Sequence, residues 1–378
     1  MILNFLFEAL NYSALAAKNM ISQFFDYRGF SPVEIGYLTV LLPIISMISN
    51  PFWFKIGSKI SEKRAFLITA ISSAFAFWAL YFSNNFIFAM IAIGSFSFFF
   101  SSFVPLGDSI MMSTVKKYGG SFDKIRLFGT VGFSSVALLL GMLVEYGFIW
   151  FFIITSAALL VSSLIIVFKK DKKIIDRKKR KIEFKRDGKI SIFILMLVGM
   201  VFGVSMVSFH NTYFPILSRE MGFDKSIVGI VFSFMSITEL PFLYFAENII
   251  KKLGNFKVLI IGMFTSALRI FLLTFVSTII PLLIIESLHG LTYILMYYSI
   301  FNYIHFRLPE KYLTKAQSTF WTVSLGVTYI ISSIGGGYIM EYFNSIPAFR
   351  IMAVLGFSVT GIVLLVYIYY NKKINLNK

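Results

Sequence analysis

The chain predicts an all-α membrane protein with twelve transmembrane helices in two six-helix bundles. Three observations predict it: long apolar runs, basic residues gathered in alternate loops, and one central polar segment with six runs on either side. Of 378 residues, 57% are hydrophobic and 14% charged. A soluble chain of that length needs far more charge to cover its surface.

A spanning helix takes roughly 20 mostly apolar residues. Twelve stretches meet that: 1–25, 33–54, 65–83, 85–113, 124–147, 148–168, 190–215, 226–248, 256–277, 278–305, 316–340 and 346–370. Some are separated only briefly, as at Asn84-Asn85 and between Ser277 and Pro281. The runs are continuous rather than alternating, which excludes a spanning β-barrel. The first run carries Glu8 and Lys18 and has neither a basic leader nor a small-residue cleavage site, so it reads as a retained helix rather than a signal sequence. There is no cysteine, hence no disulfide and no thiol chemistry.

The net charge of +17 is distributed, not patched. Segments 55–64, 116–126, 169–189, 251–257, 307–315 and the tail from Lys372 hold 29 of the 35 basic residues. The intervening loops hold Arg28, Arg219, Lys225 and Arg350, while Lys18 and Arg269 lie inside helices. This is positive-inside asymmetry. It predicts a cytoplasmic-membrane protein with both termini cytosolic. It also excludes a nucleic-acid surface, which would concentrate the charge beside aromatics on one face.

Lys169 to Lys189 holds 12 basic residues and reads as a solvated cytosolic linker. It divides the chain into bundles 1–168 and 190–378. The halves echo one another. Gly29-Phe30-Ser31-Pro32-Val33-Glu34-Ile35-Gly36 opens the second run, and Gly222-Phe223-Asp224-Lys225-Ser226-Ile227-Val228-Gly229 opens the eighth. Each is followed by a proline near the helix end, Pro51 and Pro241. A parallel six-helix repeat of this kind is the plan of transporters that bind solute at the midplane between halves.

An ionisable side chain at membrane depth costs roughly 2.5–3.5 kcal/mol on insertion scales, so each is a functional candidate. The set is Glu8, Lys18, Asp108, His210, Glu239, Arg269, Glu286 and His289. Each could instead be a structural ion pair. Glu286 and His289 are three apart and share a helix face, with Arg269 on the preceding helix able to pair with either. Lys18 lies deep in Ala-Leu-Ala-Ala-Lys-Asn, and its counter-ion is Glu8, Asp108, Glu239 or a substrate carboxylate. The 45 Phe and 19 Tyr read mostly as lipid-facing filler. No HExxH element is present, and the three histidines lie on different helices or helix faces, so no metal site and no cofactor are expected.

Several elements in order carry a resemblance. They are Val104-Pro105-Leu106-Gly107-Asp108-Ser109, then Lys124-Ile125-Arg126-Leu127-Phe128-Gly129-Thr130-Val131-Gly132-Phe133, Glu239-Leu240-Pro241, Ala267-Leu268-Arg269, Ser287-Leu288-His289-Gly290-Leu291-Thr292 and Ala316-Gln317. Across nearly the whole chain these resemble the phenylpropionate-permease-like branch of the major facilitator superfamily, close to the lactose permease or oligosaccharide:proton symporter family. The resemblance implies substrate-binding roles for Asp108 and Arg126, with Phe133 as the stacking aromatic, where the permease has Trp. It implies coupling roles for Glu239, Arg269 and His289. The permease's proton-carrying glutamate falls at Thr292, so another acid, Glu286 or Glu239, must serve. The loop Phe54-Lys55-Ile56-Gly57-Ser58-Lys59 lacks the usual Gly and Asp of the superfamily motif. By hydropathy Arg126 lies at the cytosolic end of its helix, so reaching a central cavity requires the fourth and fifth helices to project beyond the bilayer.

The expectation is a monomeric, cation-coupled importer, with a proton as the first candidate ion, for a small polar or anionic solute such as a sugar, nucleoside or aromatic acid. A drug exporter of the same fold is the alternative. Exporters usually carry a Gly-Pro pair in the fifth helix, and Gly129 to Gly141 has no proline. A lipid-processing enzyme or scramblase is the third class.

Overall fold

A computed structural model describes residues 2–118, 122–168 and 188–376, and every regular element among them is helical. The first run is split into α1 (Ile2–Ser13) and α2 (Leu15–Tyr27), which meet at Ala14. Then come α3 (Pro32–Ile60), α4 (Glu62–Tyr81), α5 (Phe86–Tyr118), α6 (Phe122–Val144) and α7 (Ile149–Val167). The second half opens with α8 (Ile190–Glu220), α9 (Ser226–Leu253) and α10 (Asn255–Leu273). The tenth span is α11 (Ile279–Glu286), a 3-10 turn over Ser287–Leu291, and α12 (Tyr293–Phe306). The eleventh is α13 (Leu313–Thr322), π-helical stretches at Val323–Val327 and Ile330–Gly335, and α14 (Gly336–Phe343). The twelfth is α15 (Ser345–Leu376).

Each predicted run thus has its span. The closest pair, at Asn84-Asn85, is divided by a cap in which the Asn85 side chain accepts from the Phe88 backbone N–H at 2.8 Å. The span α5 is 33 residues long, about 50 Å at 1.5 Å per residue. That exceeds the ~30 Å hydrocarbon core, so part of α5 lies outside it. The expected linker falls almost wholly on 169–187, outside the described residues.

The Gly-Phe echo is a conformational repeat. Gly29 and Gly222 both take φ +81°, where a side chain is strained. Phe30 N–H reaches back to Phe25 carbonyl at 3.1 Å, and Phe223 N–H to Ser218 carbonyl at 3.0 Å. Both are the C-terminal helix stop in which a left-handed residue returns the chain. Ser31 and Glu34 then form a reciprocal capping box that starts α3 behind Pro32.

The chain forms two compact units. Unit 1 comprises Met1–Arg180 and Phe214–Ile237. Within it α4 packs on α5 and α7, and α1 packs on α6 and α7. The end of α8 and the start of α9 join this unit. Arg219 donates to both Asp26 carboxylate oxygens at 2.8 and 3.1 Å, and Glu145 accepts from Ser226 N–H at 2.7 Å. Gly141 and Gly229 let α6 and α9 touch backbone to backbone: a Cβ on Gly229 would lie 2.3 Å from the Ala137 carbonyl oxygen. Not every phenylalanine faces lipid: Phe24, Phe77, Phe96, Phe148, Phe151 and Phe152 are buried and pack on one another.

Unit 2 comprises Lys181–Tyr213 and Thr238–Lys378. Its core is sulfur-rich: Met196, Met200, Met263 and Met296 pack with Phe193, Leu259, Ile300 and Phe320. Flexible thioethers fill the space left by Gly199, Gly203 and Gly262, where any Cβ would strike Met263 or Met296.

Candidate functional site

Each unit carries a cluster of ionisable residues at an interruption of a span. In unit 1 the interruption is Ala14, and the centre is Tyr12, at the end of α1. Its hydroxyl donates to Asp108 Oδ2 on α5 at 2.7 Å. The Arg126 guanidinium of α6 lies over its ring, 3.5 Å from the centroid. Glycines make this possible. A Cβ on Gly129 would sit 2.7 Å from the Tyr12 ring, one on Gly107 2.5 Å from the Asn11 amide, and one on Gly132 2.0 Å from the Ala9 carbonyl oxygen. The glycines of the two motif segments are therefore the seat of α1.

The structure gathers Asp108 and Arg126 around Tyr12. Arg126 is half-buried against that ring despite its place in the first turns of α6. Phe133, half-buried two turns further along, makes no ring or polar contact with the group. Lys18, on α2, is partly exposed and makes no hydrogen bond or ion pair with any described residue.

Unit 2 holds a larger network. Arg269 of α10 is 1% exposed and Glu286, the last residue of α11, is fully buried. Arg269 Nε donates to Glu286 Oε2 at 2.8 Å, and Nη2 approaches the same oxygen at 2.6 Å. Arg269 Nη1 meets His289 Nδ1 at 2.7 Å, and Nη2 meets His210 Nδ1 at 3.0 Å. His210, on α8, reaches Glu286 Oε1 through Nε2 at 2.8 Å. His289 reaches Glu239 Oε1 through Nε2 at 2.8 Å. The 3-10 turn places Glu286 and His289 together, since residues three apart eclipse in that helix. Gly290 brings the turn against α9: a Cβ there would lie 2.4 Å from the Thr238 carbonyl oxygen. That approach lets His289 meet Glu239, the residue after Thr238.

Arginine has only donors, so where it faces a single ring nitrogen that nitrogen accepts. In neutral His289 the proton is then on Nε2 and donates to Glu239. At His210, Arg269 Nη2 lies against both ring nitrogens, at 3.0 and 3.2 Å, and Nε2 also meets Glu286 Oε1. One guanidinium thus stands against two carboxylates, and a single added proton neutralises the group. The Glu239 side chain is 22% exposed, and the Glu286 side chain is not exposed at all. The accessible end of the network is Glu239–His289.

Sequence reasoning named His210 as an intramembrane candidate but gave it no partner. It missed Tyr12 and Asn11. Their signal is a polar pair inside the first apolar run, and their placement depends on glycines about a hundred residues away, Gly107 and Gly129.

A family model described as the MFS_1 like family matches residues 6–351. The maltose permease of Geobacillus stearothermophilus is 23% identical over 316 residues, covering 82% of this chain and 80% of the permease. A probable 3-phenylpropionic acid transporter of Escherichia coli (strain K12) is 22% identical over 344 residues, covering 86% and 87%. The crystal structure of the nucleoside transporter NupG superposes with a TM-score of 0.82 at 15% identity, over 97% of this chain and 98% of that one, which shows a shared fold. The model's reach across the spans and both clusters settles the family: the chain belongs to the MFS_1 like family, and is a multi-pass membrane transporter of the major facilitator type rather than an enzyme.

Proposed function

We propose that the chain is a proton-coupled importer of a small polar or anionic organic solute, working as a monomer in the cytoplasmic membrane with both termini cytosolic. Halves 1–168 and 190–378, joined by linker 169–189, rock to expose the solute to each side in turn. Asp108, Arg126 and Tyr12 bind it, with Phe133 two turns further along α6. Lys18, a cation with no partner among the described residues, favours a solute carrying a carboxylate, and one relative is named for such an acid, 3-phenylpropionic acid; sugars and nucleosides remain on the panel.

The observation that carries the coupling is the exposed end of the unit 2 network. Glu239 and His289 bond to each other, while Arg269 is occupied by Glu286. A proton arriving there removes the excess negative charge without breaking the buried Arg269–Glu286 pair. Vesicle uptake of sugars, nucleosides and aromatic acids, with and without an inward proton gradient, tests the reading. Lower external pH should raise accumulation of the cognate solute. Glu239→Gln should abolish gradient-driven accumulation and keep equilibrium exchange, measured in the same vesicles. Accumulation equal to the parent's would remove Glu239 from the coupling path, and efflux stimulated by the same gradient would make the chain an exporter.

A further inference from the structure

We infer that Glu8 and Asp108 form a proton-sharing carboxyl pair, a second proton site, located in unit 1. The inference rests on the coupling reading for its physiological use, but the site stands on geometry.

Glu8, Asn11 and Tyr12 occupy one face of α1, three and four residues apart. Glu8 and Asn11 are fully buried. This face is pressed on α5 and α6 by the glycine contacts already described. Glu8 lies within hydrogen-bonding reach of Asp108. Asp108 Oδ2 takes the Tyr12 hydroxyl, while Asp108 Oδ1 is buried and has no donor. Asn11 Oδ1 is buried and equally without a donor, its amide nitrogen facing the Val104 carbonyl oxygen at 3.5 Å.

The cluster therefore has more acceptors than donors. The charged and titratable groups facing it are Tyr12 from α1, Asp108 from α5 and Arg126 from α6. The helix α7, also packed on α1, has no titratable side chain. From α4 the contact is the apolar Phe66 on Phe7. Glu62 at the start of α4 accepts from Ser109, beside Asp108. Lys18 of α2 makes no bond here. The Arg126 guanidinium lies on the Tyr12 ring. Two touching carboxylates beside a single guanidinium carry one negative charge too many, and sharing one proton removes it. A proton held by Glu8 supplies the donor that Asp108 Oδ1 lacks. Binding one proton turns a carboxylate pair into an acid–carboxylate pair, with no other bond made or broken.

Infrared difference spectroscopy of the purified, lipid-reconstituted protein tests this without any transport step. The probe is the pH titration itself, followed at the carboxylic-acid carbonyl stretch in H2O and D2O. The parent should show a protonated, exchange-shifted carboxyl at neutral pH. The band should vanish in Glu8→Gln and in Asp108→Asn, and persist in Glu239→Gln. The near-isosteric amides keep the fold, and two variants guard against one that fails to assemble. A band unchanged in both unit 1 variants, or none in the parent at neutral pH, overturns the proposal. If the band behaves as stated and no solute moves with protons, the coupling reading fails while the acid pair survives. If coupling holds, Glu8→Gln should also lower the proton-to-solute ratio from two to one.

Discussion

The two polar clusters solve the same problem in opposite ways. In unit 2 the charges are paired: one guanidinium faces a carboxylate and two imidazoles, and each histidine faces a carboxylate of its own. In unit 1 the guanidinium rests on an aromatic face, and buried acceptors on Asp108 and Asn11 lack donors among the described residues. A satisfied network resists everything except a change in proton count. An unsatisfied one invites a ligand. The proposed division follows this contrast: the ion chiefly at unit 2, the solute at unit 1.

The sharpest way to break it is Arg269→Ala. Removing one partner of a buried pair strands Glu286 and costs about 3–5 kcal/mol. The detergent-purified variant should unfold at markedly lower temperature or fail to elute as a monodisperse peak. A stable, well-behaved variant would mean that Glu286 is neutral in the folded protein and the network is not ionic. Next is Lys18→Gln. A hydrogen bond to a charged group contributes about 1.5–3 kcal/mol, so KM for a carboxylate-bearing solute should rise roughly ten- to a hundredfold, with uncharged analogues unaffected. An equal loss for both kinds of solute would make Lys18 structural. Tyr12→Phe keeps the platform under Arg126 and deletes the bond to Asp108, worth about 0.5–1.5 kcal/mol. Solute affinity should drop about two- to tenfold with little change in thermal stability, as measured by binding calorimetry. The smallest effect is expected at Phe133. It touches nothing in the cluster, so Phe133→Ala should shift affinity by about 0.5 kcal/mol or less. A larger loss would show that the solute itself reaches two turns along α6.

The spans were legible because continuous apolar runs and alternating basic loops follow directly from the solvent. The repeated turn was legible because only glycine sits easily at φ +81°, and Gly29 and Gly222 stand at equivalent places. The site was half legible. Charged residues in apolar runs announce themselves, so Asp108, Glu239, Arg269, Glu286 and His289 could be named. Their partners could not, because these depend on where helices touch. Nothing local marks Ala14 as an interruption. The 3-10 turn at Ser287–Leu291 has only Gly290 as a hint, and that glycine answers to Thr238 and Phe242 of another helix. Tyr12 and Asn11 look like minor polar breaks in a hydrophobic run until Gly107 and Gly129 are placed against them. Which phenylalanines are buried was not legible for a similar reason: composition counts rings but does not show which helices leave room for them.

The contact between Gly141 and Gly229 turns residue volume into an experimental handle. Any side chain at Gly229 collides with the Ala137 carbonyl oxygen, so the contact admits hydrogen and nothing larger. A tryptophan there acts as a wedge, and the neighbouring Asp26–Arg219 and Glu145–Ser226 bonds must lengthen with it. Because the chain has no cysteine, a single thiol introduced at Gln23, whose amide donates to the Lys225 carbonyl oxygen at 2.7 Å, would be the sole site of maleimide labelling. Its labelling rate, slow in the parent background and fast with the wedge, would be a direct gauge of how tightly this end of the helices is shut.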